Sequence, residues 1–149
     1  MVYYIYSLDI RLTEFFKIVS QQCELAITEN EIPIAALVYD PIDFKIITYD
    51  HNRELSSYDP TAHAEILAIR KSCNILKQKR LDGYCMIVSV APCFLCLEAI
   101  KSARIKEIHY FYPNDNPERK NISKTIMIKH EWEGENLLKK FFKDKRLKE

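Results

Sequence analysis

Four side chains in two short stretches could do chemistry together. His63 and Glu65 lie in Asp59-Pro60-Thr61-Ala62-His63-Ala64-Glu65, and Cys93 and Cys96 in Ala91-Pro92-Cys93-Phe94-Leu95-Cys96. One imidazole and two thiolates suit a zinc ion and leave its fourth position open. Water bound there loses a proton far more readily than bulk water. A carboxylate beside the metal, but not on it, can move protons. Glu65 could take a proton from that water and pass protons to a ring nitrogen and to departing ammonia. That is hydrolytic deamination of an amidine-like ring carbon.

The spacing carries geometry. Cys93 and Cys96 are three apart, so on a helix their sulfurs share one face. In a first turn the positive end of the helix favours thiolates. His63 and Glu65 are two apart and point roughly 200° apart on a regular helix. They can meet one metal site only if their helix starts end-on to it. Blander readings remain open. Cys-x-x-Cys alone serves as a redox pair or as half of a structural zinc site. Cys85 or His109 could then be a fourth ligand, although neither lies in a ligand-like pair. His51, His109 and His130 each stand alone and read as ordinary strand histidines.

The elements that must position these residues follow from periodicity. Leu12, Phe15, Phe16, Val19, Cys23 and Ile27 recur at spacings of three and four, which predicts an amphipathic helix over about Leu8–Asn30. Two apolar runs, Ile34–Tyr39 and Phe44–Tyr49, flank Asp40-Pro41-Ile42-Asp43 and predict a hairpin. After a polar loop, a helix is expected from about Ala62 to Leu76, capped by Thr61 or Asp59. Tyr84–Val90 is apolar on both faces, as in a central strand. Pro92 opens a short helix to about Arg104, and Ile105–Tyr112 reads as a strand. Thr125–His130 is a candidate fifth strand of open direction, because the Pro113–Ser123 connection is short for a parallel crossover. Glu135–Leu147 is a helix with Leu137, Leu138, Phe141 and Phe142 as its stripe. This order predicts the α/β class: three α-β-α layers around a mixed sheet of four or five strands, in one domain over residues 1–149. Both reactive stretches fall at helix starts, where open α/β sheets form their sites.

Composition narrows the class. The chain has 149 residues, 48% hydrophobic and 29% charged, with a net charge of +1. No apolar run is long enough to cross a membrane, and the start lacks signal-peptide features. A cytoplasmic protein is expected. The near-zero charge advertises no global attraction to nucleic acid. From Lys139 to Lys148, however, six basic residues face one acidic one. Lys139, Lys140, Lys143 and Arg146 are candidate RNA contacts, or simply a solvated helix face. Five cysteines, an odd number, argue against a disulfide framework. Cys23, Cys73 and Cys85 read as small buried residues. Two glycines leave most turns to Asn, Asp and Pro.

His-x-Glu followed by Pro-Cys-x-x-Cys is the signature of zinc nucleobase deaminases. The chain resembles the cytidine/deoxycytidylate deaminase superfamily, and within it the bacterial tRNA-specific adenosine deaminases. Asp59–Ile66 with Ala68-Ile69-Arg70, Asn52-Arg53 before it, Glu31-Ile32-Pro33-Ile34, and Phe141-Phe142 with following basic residues carry the likeness. It implies a cytidine-deaminase-like fold, zinc on His63, Cys93 and Cys96, and proton transfer by Glu65. It implies a base pocket contacted by Asn52 and walled by Pro33, Ile34 and Ala62. It also implies a homodimer that converts the wobble adenosine of a tRNA anticodon stem-loop to inosine. A small-molecule deaminase acting on guanine, cytosine or a free nucleoside is the second expectation. Ala91 stands where the family usually has Glu, and the glycine-rich segment after the fourth strand is missing.

Overall fold

A computed structural model describes residues 2–114, 125–132 and 134–148, with side chains from Ile10 onward. Nine elements follow in order: α1 (Val2–Thr28), β1 (Ala35–Asp40), β2 (Lys45–His51), α2 (Ala64–Leu76), β3 (Cys85–Val90), α3 (Phe94–Ala103), β4 (Glu107–Tyr112), β5 (Ile126–Lys129) and α4 (Leu137–Lys148). Helix α1 starts about six residues earlier than its apolar stripe suggests; nothing from Val2 to Asp9 is a glycine or proline that would stop it.

The strands form one sheet in the order β2-β1-β3-β4-β5. β1 is antiparallel to both β2 and β3, whereas β3, β4 and β5 run parallel. The fifth strand therefore exists and is parallel to its neighbour. Much of its crossover, residues 115–124, lies outside the described residues. Every residue of β3 is buried, as its two-sided apolarity predicts. One core packs α2 and α3 on Ala36, Val38, Met86, Val88 and Ile108. The other packs α1 on Ala35, Leu37, Tyr39, Cys85 and Ile87, with Leu137 of α4 at its margin. Alternation along β1 and β3 thus feeds two faces, and the three layers follow. Helix α4 has no buried residue, and Phe142 is 43% exposed. Its stripe meets the α1-side core only through Leu137.

Several local expectations need correction. Neither Thr61 nor Asp59 caps α2. His63 holds the N-cap position, and Asp59 instead accepts bonds from the Thr61 amide (2.8 Å) and hydroxyl (2.7 Å), forming the turn before the helix. Turns do not rely on Asn, Asp and Pro alone. Lys77 and Arg104 close α2 and α3 at φ 53° and 60°, a left-handed conformation that a Cβ disfavours. The three histidines do not stand alone. His51, wholly buried, meets Glu29 at 2.7 Å and Gln22 at 3.1 Å. His109 meets His130 at 2.8 Å. Cys23 and Cys85 are buried, whereas Cys73 is half-buried.

Candidate active site

Two helix N-termini converge beyond the sheet. His63 and Cys93 are the N-caps of α2 and α3, both with extended backbones (ψ 148° and 171°), and neither side chain caps its own helix. Their carbonyls accept the first helical bonds, from Leu67 (3.0 Å) and Leu97 (2.9 Å). The imidazole and thiol are thereby free to turn toward each other. Cys96 joins them from the first turn of α3. His63 Nδ1 lies 3.5 Å from Cys93 Sγ and 3.4 Å from Cys96 Sγ. All three ligand atoms lie within 4.8 Å of one another.

This donor set fits zinc. Tetrahedral coordination at about 2.0–2.1 Å to nitrogen and about 2.3 Å to sulfur sets the two donors about 3.5 Å apart. Neither Cys85 nor His109 belongs to the group, so a fourth protein ligand from them is excluded. The three ligand groups share protons unevenly among themselves. The hydrogen bond from Cys96, against the cost of burial and with help from His63, pulls Cys93 down to about 3. Cys96 is held up by Cys93 and by burial. Its bond to Cys93 lifts His63 to about 9. Both α2 and α3 aim their positive ends here, which favours negative sulfur.

Glu65, in the first turn of α2, is almost wholly buried, and burial pushes its carboxyl up. The N-cap position of His63 resolves the 200° problem. The imidazole leaves the chain before the helix begins, and the carboxylate enters from its first turn.

The residue that sequence reasoning missed is Glu54. Its Oε1 lies 3.1 Å from His63 Nε2, and its Oε2 accepts a bond from Asn52 Nδ2 at 2.8 Å. A carboxylate on Nε2 holds the proton there and leaves the Nδ1 lone pair for a metal. No spacing rule marks Glu54, which sits in the polar loop before His63. Glu31 steadies that loop. Wholly buried, it accepts bonds from the amides of Ser56 (2.6 Å) and Leu55 (3.3 Å).

A cleft of about 540 Å³ opens onto His63, Glu65 and Cys93. Ile32, Ile34 and Val90 line it with Asn52 and Glu54, and the Ile34 carbonyl fixes the Asn52 amide at 2.9 Å. Ala91 lines it where a larger side chain would reduce it. Asn114, Asn136, Lys139 and Phe142 also face the cleft. Pro33 and Ala62 do not line it: both are buried, and Pro33 faces a small apolar pocket beside α1. Of the four basic candidates only Lys139 reaches the cleft. Lys140 pairs with Glu135 at 3.2 Å, Arg146 bonds the Phe142 carbonyl at 3.3 Å, and Lys143 is exposed on α4.

Comparison with known proteins agrees with this geometry. The cytidine and deoxycytidylate deaminase zinc-binding region, as a sequence family, matches residues 10–112. A tRNA-specific adenosine deaminase of Rickettsia felis is 36% identical over 90 residues, 60% of this chain and 62% of its own. A guanine deaminase of Bacillus subtilis is 46% identical over 68 residues, 46% of this chain and 44% of its own. A solved structure from a study of A-to-I editing by tRNA deaminases at the wobble position of transfer RNA has a TM-score of 0.70 at 28% identity. It covers 78% of this chain and 91% of that one. The chain thus spans about 62% of the length of the Rickettsia felis relative.

Proposed function

The chain belongs to the cytidine and deoxycytidylate deaminase family, and from that premise we propose that it converts the wobble adenosine of a tRNA anticodon to inosine. One observation carries the reading. The His63–Cys93–Cys96 donor set, with spacings that fit zinc, shares the cleft with a buried carboxylate, Glu65. A merely structural zinc does not require that carboxylate. The likeness to tRNA adenosine deaminases supports the substrate.

The reaction exchanges the exocyclic amine of the base for the oxygen of water and releases ammonia. His63 Nδ1, Cys93 Sγ and Cys96 Sγ would hold a zinc ion, which when bound would supply Lewis acidity to the attacking water. Glu65 receives the first proton of the attacking water and delivers it to the ring nitrogen beside the reacting carbon. It then takes the second from the hydroxyl added at that carbon and passes it to the departing amine, which leaves as ammonia as the carbonyl forms. Its raised affinity for protons, caused by burial, suits a group that must both accept and donate. Glu54 holds the His63 ring in the tautomer that presents Nδ1. Ile34 and Asn52 face the base, which enters by the open mouth of the cleft after leaving its stack. Lys139 stands beside that entry.

Among the described residues no helix is long and apolar enough to cross a membrane. We place the protein in the cytoplasm, with tRNA, as a homodimer. Incubation with an anticodon stem-loop carrying a wobble adenosine should yield inosine there; its absence with zinc-loaded protein overturns the reading. The second reading is a guanine deaminase. The 46% identity to the Bacillus subtilis enzyme across the segment it matches favours it, and turnover of free guanine alongside an inert stem-loop would select it.

A further inference from the structure

We propose that Cys85, Glu107 and His109 form a second metal site, for a borderline divalent cation such as zinc, beneath α1 and at the opposite end of the sheet from the cleft. Cys85 and Glu107 open β3 and β4 and are direct register partners, and His109 follows two residues on. The cleft lies past the other end of β3. Each of the three residues offers one ligand atom, and these atoms lie within 4.8 Å of one another. Glu107 Oε2 is 3.4 Å from His109 Nε2 and 3.9 Å from Cys85 Sγ. Thiolate, imidazole and carboxylate together are donors that zinc accepts.

The second observation is His109 itself. It is 95% buried, and its Nε2 has no hydrogen-bond partner even though it is aimed at this cluster. Buried ring nitrogens are ordinarily satisfied. The other nitrogen, Nδ1, is fixed by His130 Nε2 at 2.8 Å. A metal-ligating histidine ordinarily has its second nitrogen held in this way. When His109 donates from Nδ1, its Nε2 lone pair faces the Glu107 carboxylate at 3.4 Å, outside hydrogen-bond geometry and placed for a shared cation.

Protonation states fit the same role. Burial, with His130 beside it, lowers His109 to about 4, so the ring is neutral at pH 7, the form that ligates. Burial and Glu107 raise Cys85 to about 11. Cation binding therefore displaces one proton, from the Cys85 thiol. Glu107 is partly exposed and gives the ion a route from solvent.

The test is metal stoichiometry of the full chain. Native mass spectrometry of zinc-loaded wild-type protein should show two ions, and Cys85→Ala should show one. A Cys93→Ala/Cys96→Ala protein should retain one zinc, and on cobalt substitution show single-thiolate charge-transfer absorption that disappears when Cys85→Ala is added. One zinc in the wild type overturns the proposal, and so does a second ion that survives Cys85→Ala. The wild-type count decides the matter even where a multiple variant fails to fold.

Discussion

Glu54 decides which nitrogen of His63 faces the thiols. Its carboxylate lies 3.1 Å from Nε2, and Asn52 braces it from the far side. Loss of such a partner typically costs about 10–100-fold in metal affinity. Glu54→Ala should therefore weaken zinc by about that factor in competition with a chromophoric chelator, while Glu54→Gln, which keeps an acceptor, should fall between it and wild type. Equal affinities in all three proteins would remove Glu54 from the site. Glu65 makes the opposite case. It holds no metal in this geometry, so Glu65→Gln should keep one zinc at His63, Cys93 and Cys96. Deamination should drop by about 10²–10⁴ through loss of proton transfer. Activity near that of wild type would refute its assignment.

At the scale of elements, the chain tolerates strain where it ends its helices. Lys77 adopts φ 53° after α2, and its amide bonds the Cys73 carbonyl. Glycine takes that conformation without the Cβ clash, so Lys77→Gly should raise stability by about 0.5–1 kcal/mol, read from urea unfolding. A loss would show that Lys77 contributes through its side chain. Buried carboxylates tie the elements together. Burial alone would raise Asp50, but Lys71 at 2.5 Å, the His51 amide and Arg53 outweigh it and hold it below the ordinary range. Burial likewise opposes the Ser56 and Leu55 amides at Glu31, and again the bonds win. Carboxylates held down contribute stability that is present above their unfolded values, near pH 4, and is lost as pH falls through the folded ones. The melting temperature should stay level from pH 7 to about 5 and fall below. Asp50→Asn should lower it at pH 7 and flatten the acid limb. The same elements show what periodicity can reveal. The hairpin, both site-bearing helices and strand β3 are legible because each repeats apolar residues at its own period. The contacts of His51 with Glu29, of His109 with His130 and of Glu54 with His63 are not, because they join segments whose approach only the assembled sheet defines. The direction of β5 was equally hidden, since its connection carries no helical period.

For the whole molecule, a net charge of +1 gives RNA no general field to follow. Any attraction to phosphates must then be local, and we propose α4 for it, with Lys139 at the cleft and Lys143, Lys145, Arg146 and Lys148 farther along. Lys140 is already paired with Glu135. Each phosphate contact on a single-stranded loop releases counterions, worth about 0.7 in the slope of log K against log salt. Neither residue changed in a Lys143→Ala/Arg146→Ala protein lines the cleft. That protein should bind an anticodon stem-loop more weakly, with a salt slope shallower by up to about 1.4. Zinc content and turnover of a free base, where there is any, should not change. If stem-loop affinity and slope both match wild type, α4 is a solvated face, and substrate choice must rest on the cleft alone. Its determinants would then be the groups around the mouth, Ala91, Asn114 and Asn136 among them, which select a base and not the strand that carries it.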